Sequence, residues 1–331
     1  MINLKCLIVG LGSIGCRHVN NLKKLGVINL SAFRNTHKII PFKIPKNVRI
    51  FRNFSLALKD NPDAVIICNP TSKHIEFALK ALRQKCNLYI EKPLSNNLRN
   101  LNKFVKLSHS VKKKIIVGCQ FRYHPGLNLI NRWIKKKKIG KIISVVCDVG
   151  EYLPLWHPWE NYRKSYAARK EFGGGVILTL IHELDYLYWL FGKISSVYAV
   201  GSKKTKLKIN VEDSALISMI TKSKIPIHLR MDYWRNKPKR SLNIVGEKGE
   251  INWDYYRKTV TMLNNGKILY KQKLPEKWNK NQMYINIMRD FINSIGKRTN
   301  PKVSLKESMN VLKIALAAKS SLGKNKLVHI K

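Results

Sequence analysis

One six-residue run constrains this chain more than any other feature: Gly10-Leu11-Gly12-Ser13-Ile14-Gly15. It follows an apolar, strand-like stretch, NLKCLIV at 3–9, and opens a segment with helical spacing through Ile14, Val19, Leu22 and Leu25. In a strand–turn–helix context, G-x-G-x-x-G has a mechanical meaning. Gly10 allows the tight turn, Gly12 lets backbone approach a pyrophosphate, and Gly15 lets the helix pack close to the strand. The amides of the first helical turn, at Ser13 and Ile14, then present N–H groups and a positive dipole to phosphate. The expectation is a βαβ dinucleotide-binding unit.

The first third continues in that pattern. Strand-like runs at 28–33, 48–51, 63–68, 87–91 and 115–119 alternate with amphipathic segments, one through Ile75, Ala78, Leu79 and Leu82 and one through Leu98, Leu101, Phe104 and Val105. Continuous apolar strands between helices predict a doubly wound parallel sheet covered on both faces. After about residue 122 the pattern changes. A helix over 125–137 and a long strand over 142–149 precede an aromatic loop at 151–172 and a helix over 174–191. Strands then follow one another at 194–201, 213–221, 225–233, 241–246, 250–254 and 258–263, and helices at 281–296 and 304–321 close the chain. Directly successive strands predict an α+β domain with an open, largely antiparallel sheet. The expected domains are 1–122 and 123–331, consistent with 331 residues at roughly 150 per domain.

Composition narrows the class. No apolar run approaches the ~20 residues that span a bilayer, and the first residues do not read as a signal peptide, so a cytoplasmic protein without membrane association is expected. Six cysteines, at 6, 16, 68, 86, 119 and 147, form no CxxC and read as buried free thiols. No spacing of His, Cys, Asp or Glu predicts a metal site. The formal charge of +44 is unusual. It invites a nucleic-acid reading, but it is spread along the chain as Lys and accompanies no recognition motif. The expectation is salt-sensitive attraction of anions without specific nucleic-acid binding.

The second βα junction reads the adenosine ribose, and NAD-preferring sites place an acid about 20 residues beyond the glycines. Here the strand ends Phe33-Arg34-Asn35-Thr36-His37-Lys38, and no acid occurs before Asp60. Arg34 suits a 2′-phosphate, with Asn35, Thr36 or Lys38 assisting. NADP(H) is the preferred cofactor on this reading, with NAD(H) as the alternative in which Arg34 stacks on adenine and Asn35 bonds the ribose. Two further motifs follow strands: Asn69-Pro70-Thr71 with His74, and Glu91-Lys92-Pro93. Carboxyl ends of parallel strands are where such sheets bind ligands.

GLGSIG, NPTSKHIEFALKAL, YIEKPLS, FRYHP, and GGG followed by HELD occur in an order that resembles the glucose–fructose oxidoreductase/inositol dehydrogenase (Gfo/Idh/MocA) family over essentially the whole chain. The resemblance implies a Rossmann domain followed by an α+β domain whose open sheet forms a homodimer or homotetramer interface. It also implies hydride transfer between a nicotinamide cofactor and a hydroxyl of a sugar, cyclitol or related polyol. On the same basis Lys92 contacts cofactor and substrate, His182 is the acid/base, and Asp185 is the acid three residues later. Gln120, Arg122 and Tyr123 fall beside the nicotinamide and substrate. The family commonly has an Asp three or four residues before the histidine, whereas this chain has Leu178 and Thr179. Thr179 can bond a substrate hydroxyl but cannot act as a carboxylate base. In the loop at 152–175, Trp156, Arg163, Tyr166 and Arg169 suit a sugar ring carrying an anionic group. This segment resembles a subgroup of surface-glycan sugar pathways, including acidic and amino sugars, which implies an acidic or nucleotide-linked sugar as a candidate substrate class. Two other classes compete: a cofactor-binding sensor or scaffold that has lost turnover, motivated by Thr179, and a polyanion binder, motivated by the charge.

Overall fold

The computed structural model describes residues 2–35, 44–45, 47–297 and 299–330. Thr36 and Lys38, expected to assist Arg34, lie outside the described residues. The chain divides into two units: Met1–Gln120 with Lys280–Met309, and Phe121–Asn279 with Asn310–Lys331.

The first unit runs β1 (Cys6–Val9), α1 (Ser13–Lys24), β2 (Leu30–Phe33), β3 (Arg49–Phe51), α2 (Phe54–Lys59), β4 (Ala64–Ile67), α3 (His74–Arg83), β5 (Asn87–Ile90), α4 (Leu101–Val111) and β6 (Ile115–Val117). Its six strands lie in the order β3-β2-β1-β4-β5-β6, all parallel. Every residue of β1, β2, β4, β5 and β6 is buried. A sheet covered on both faces favours such near-continuous apolar strands. Strand order reverses between β1 and β4, so their carboxyl ends flank the crevice where doubly wound sheets take ligands. Two details differ from expectation. The six-residue helix α2 was not foreseen; it is short, and its start is set by Asn53, whose side chain accepts from the Leu56 amide at 3.1 Å. Leu98 lies outside the fourth helix and is exposed, because α4 begins only at Leu101, after Asn100 at φ +61°.

The second unit runs α5 (Pro125–Lys135), β7 (Ile142–Gly150), α6 (Val176–Thr179), α7 (His182–Phe191), β8 (Ile194–Ser202), β9 (Ser214–Thr221), β10 (Pro226–Asp232), β11 (Lys239–Gly246), β12 (Gly249–Asp254), β13 (Thr259–Asn264) and β14 (Lys267–Lys273). After α8 (Asn281–Gly296) and α9 (Leu305–Lys324), β15 (Val328–His329) completes a nine-stranded sheet, β14-β13-β12-β11-β7-β10-β9-β8-β15. Only the β7–β10 pair is parallel. Alternation is clean in β9, where Ala215, Ile217 and Met219 are buried while Leu216 and Ile220 face outward. Strand β14, KILYKQK, is exposed almost throughout. It carries no inward-facing period, which is why it has no sequence signature.

Helix α8 and the residues up to Met309 cluster with the first unit, not with the strands that precede them in sequence. The Asn21 and Asn281 side-chain amides exchange two hydrogen bonds, at 2.8 and 3.3 Å, and Tyr284 meets the His18 ring edge-on. A single break after residue 122 therefore does not describe the division. An amphipathic helix announces its apolar face, not the sheet that face will cover.

The expected helix over 174–191 is two helices. Gly173 and Gly175 have φ of +83° and +104°, so the segment enters α6 through a left-handed turn. A Cβ on Gly174 would lie 2.4 Å from the Tyr166 carbonyl oxygen. The helix then breaks at Leu180 and Ile181 and restarts at His182.

Candidate functional site

In the first unit, the glycine turn forms a cradle at the end of β1. Gly10 has φ +94°, and a Cβ there would come within 3.1 Å of the Asn69 amide nitrogen. A Cβ on Gly15 would lie 2.0 Å from the Gly10 carbonyl oxygen. Gly12, by contrast, has nothing within 4 Å of where its Cβ would be. The turn is thus closed toward the sheet and open on the other side. Gly12 is the N-cap of α1, whose first turn has no side-chain cap, and Ser13 and Ile14 follow it half-buried. The free amides at that helix start are what a pyrophosphate requires. Asn69, just past β4, has a buried Oδ1 with no hydrogen-bond partner among the described residues. Arg34, just past β2, has a buried Nη2 in the same condition, and Asn35 beside it is exposed. These features fit a dinucleotide: backbone donors for phosphate, an unused acceptor, and an unused guanidinium nitrogen at the ribose-reading position.

Pro70 is exposed, Thr71 buried, and His74 fully enclosed. His74 ties two loops together: Nε2 meets the Asn69 carbonyl and Nδ1 the Pro93 carbonyl, both at 2.9 Å. Burial pulls its pKa below the ordinary value despite those acceptors. His74 therefore braces Asn69 and the Lys92-Pro93 turn, whose peptide bond is cis. Glu91 is also buried, and its Oε1 accepts from His18 Nε2 at 2.7 Å. Burial pushes the Glu91 carboxyl up, but the His18 hydrogen bond and the neighbouring charges of His18, Lys92 and His74 outweigh it and hold the group below the usual carboxylate range. Its Oε2 faces the Lys92 amide at 3.3 Å. Glu91 is an anionic prop behind Lys92, and Lys92 itself is half-buried. Gln120 is buried at the end of this unit. His18 had no signal in the sequence beyond its place three residues after Gly15.

In the second unit, His182 is the first residue of α7 and is 5% exposed. Two buried ion pairs hold that turn. Asp185 receives Arg122 through Nη2 at 2.7 Å and Nε at 3.0 Å. Glu183 receives Arg240 Nε at 2.7 Å. Burial raises the Glu183 carboxyl and the Arg240 charge opposes it, with a raised pKa as the outcome. The Arg240 guanidinium lies 4.6 Å over the Phe121 ring, and that ring lies 5.0 Å from the His182 ring. Arg122 and Asp185 were both expected to meet substrate; here they meet each other. Glu183 and Arg240 were missed, because nothing in the sequence links HELD to a strand 57 residues later. Tyr123 is buried beside Arg122 in sequence. Thr179 is buried at the end of α6, with the buried phenol of Tyr233 close by.

The loop between β7 and α6 winds through short turns of tight helix. Trp156 packs edge-on against Tyr233 at 5.3 Å, and Tyr166 is half-buried. Arg163 is exposed and lies over the Tyr162 ring, while Arg169 pairs with Glu171 at 2.7 Å. None of the six cysteines is in a disulfide, and Cys68 is the single one among them that is not fully buried. Among the described residues no three His, Cys, Asp or Glu side chains gather as a metal site, and no helix is long and apolar enough to cross a membrane.

Comparison with known proteins agrees with this architecture. Residues 4–119 match an oxidoreductase family with an NAD-binding Rossmann fold, and residues 128–252 match a GFO/IDH/MocA C-terminal domain. A myo-inositol 2-dehydrogenase of Thermotoga maritima is 24% identical over 340 residues, covering 98% of this chain and 97% of that one. Among solved structures, the WlbA dehydrogenase from Bordetella pertussis, in complex with NADH and UDP-GlcNAcA, superposes with a TM-score of 0.83 at 18% identity over 100% of this chain and 99% of that one. The myo-inositol 2-dehydrogenase from Lactobacillus plantarum gives 0.83 at 20% identity over 99% of each chain. At such identities the structural likeness carries the fold, and the two family models together span most of the sequence. The chain is an NAD-binding oxidoreductase that belongs to the GFO/IDH/MocA family.

Proposed function

We propose that the protein is an NADP(H)-preferring dehydrogenase or reductase acting on a hydroxyl or carbonyl carbon of a sugar, cyclitol or sugar derivative, with an acidic or nucleotide-linked sugar as the favoured class. The observation that carries the proposal is His182, held at the first position of α7 by two buried acid–arginine pairs. A helix start fixed by two buried ion pairs is built to aim one side chain. His182 takes the hydroxyl proton as the alcohol is oxidised, at Nε2, since Nδ1 is buried in protein. It returns that proton when a carbonyl is reduced; imidazole titrates near neutral pH and serves both directions. Lys92 donates to the reacting oxygen and stabilises its developing charge. Glu91 and His18 keep an anion behind that lysine. The dinucleotide, when bound, supplies the hydride acceptor or donor.

Arg163 and Arg169 orient an anionic substituent, while Trp156 and Tyr166 pack against the sugar ring. Arg122 and Asp185 act as positioning residues for α7. The preference for NADP(H) rests on Arg34, with no acid in the first 59 residues to hold a ribose 2′-hydroxyl. A homodimer or homotetramer through the open sheet face accounts for Tyr198, Val200, Leu216 and Ile220 standing exposed on neighbouring strands.

A second reading has one observation behind it. Thr179 stands where relatives by resemblance carry an Asp, and a hydroxyl cannot act as a carboxylate base. A protein that binds cofactor without turnover follows if that carboxylate is essential. Fluorescence titration with NADPH and NADH, followed by turnover assays on acidic and nucleotide-linked sugars, separates the two. Tighter NADPH binding with turnover supports the enzyme; equal or tighter NADH binding removes the cofactor preference.

A further inference from the structure

Strands β2 and β3 pair in parallel with Phe33 opposite Phe51. The next residue on each strand is an arginine, so Arg34 and Arg52 leave the carboxyl edge of the sheet side by side. The geometry joins them: Arg52 Nη1 donates to the Arg34 carbonyl oxygen at 3.1 Å. Two arginines at adjacent, in-register positions concentrate positive charge at this corner of the sheet, which attracts an anion. No Asp or Glu occurs in the sequence before Asp60, and Asp60 pairs with Lys5 and Arg49. Arg34 also keeps a buried Nη2 with no partner among the described residues.

We propose that Arg52 is the second cation of the 2′-phosphate site, and that Arg34 and Arg52 together form a guanidinium pair selective for NADP(H) over NAD(H). The inference rests on the NADP(H) reading above and adds a specificity-determining residue to it. Arg34 comes from the strand expected to read the ribose. Arg52 comes from the next strand, through a contact that no motif announces. A phosphomonoester dianion accepts several charge-assisted hydrogen bonds at once, and paired guanidinium forks are the side chains best matched to it. A ribose 2′-hydroxyl can use neither charge, so the pair discriminates through the phosphate alone.

The test is equilibrium binding of NADPH and NADH by fluorescence to the full-length wild type, Arg52→Ala, Arg52→Lys and Arg34→Ala, with thermal melting of each. The expected result is that the wild type binds NADPH more tightly than NADH. Arg52→Ala then weakens NADPH by about tenfold or more and leaves NADH within about twofold, and Arg52→Lys falls between. The unchanged NADH affinity shows that the loop is still folded. NADPH affinity of the wild type should also fall more steeply with added salt than that of Arg52→Ala. If the wild type prefers NADPH but Arg52→Ala loses nothing, or loses both cofactors equally, the role of Arg52 is overturned while the reading beneath it stands. If the wild type shows no preference for NADPH, that reading falls and the arginine pair falls with it.

Discussion

Arg122 and Asp185 form a bidentate ion pair, 2.7 Å at its closest, with the arginine 2% exposed and the aspartate fully buried. Removing one member leaves the other as an uncompensated buried charge. Arg122→Ala or Asp185→Ala alone should destabilise by about 3–5 kcal/mol, whereas an Arg122→Met/Asp185→Leu double variant should recover much of that loss. Chemical denaturation of the three variants checks this. Equal costs for single and double variants would show that the pair matters for its volume and not its charge.

The fingerprint glycines separate folding from binding. A Cβ on Gly15 collides with the Gly10 carbonyl at 2.0 Å, while one on Gly12 meets nothing within 4 Å. Gly15→Ala should lower the melting temperature by several degrees and lose nicotinamide binding as well. Gly12→Val should keep its melting temperature within a degree or two and still lose binding, because the side chain fills the space a pyrophosphate needs. Retained binding in Gly12→Val would remove the cradle from the account.

His124 gives the protein a pH dependence. Its Nδ1 accepts from the Gly126 amide at 3.1 Å and caps α5, which requires the neutral ring. Burial, with the Arg240 charge adding to it, pulls the pKa from 6.5 down to about 3. The unfolded chain therefore takes up a proton near pH 6.5 that the folded chain refuses until about pH 3. The stabilisation is complete above pH 6.5 and drains away as pH falls through that window, at about 1.4 kcal/mol per pH unit. His74, also lowered by burial, adds to the same slope. His124→Asn keeps a capping acceptor and should flatten the acid limb of stability against pH by one proton's worth. An unchanged limb would mean that His124 titrates normally.

How much of this was legible in the sequence follows from what each element must satisfy. The doubly wound sheet was legible because a strand buried on both faces is largely apolar, and β1 and β4 say so residue by residue. Strand β14 was not, because an exposed edge imposes no period on its sequence. The catalytic candidates Lys92 and His182 stood out through their motifs. Their supports did not: Glu183 finds Arg240 across 57 residues and His18 finds Glu91 across 73, and only the folded chain makes those neighbours. Arg122 and Asp185 could be picked out as functional residues, but charge alone does not say whether a side chain faces a ligand or its own counter-ion. The break of the helix at Leu180–Ile181 was hidden because the apolar period continues through it.

The measurement that tests the account most directly is turnover of NADP(H) by the wild type and by His182→Asn, across myo-inositol, neutral hexoses and a UDP-linked uronic acid, with nicotinamide affinity measured on the same samples. The account predicts turnover of at least one sugar class by the wild type. It predicts a loss of about a hundredfold or more in His182→Asn, with cofactor affinity unchanged. Equal rates in the two proteins, or tight nicotinamide binding with no turnover of any of these sugars, would contradict it.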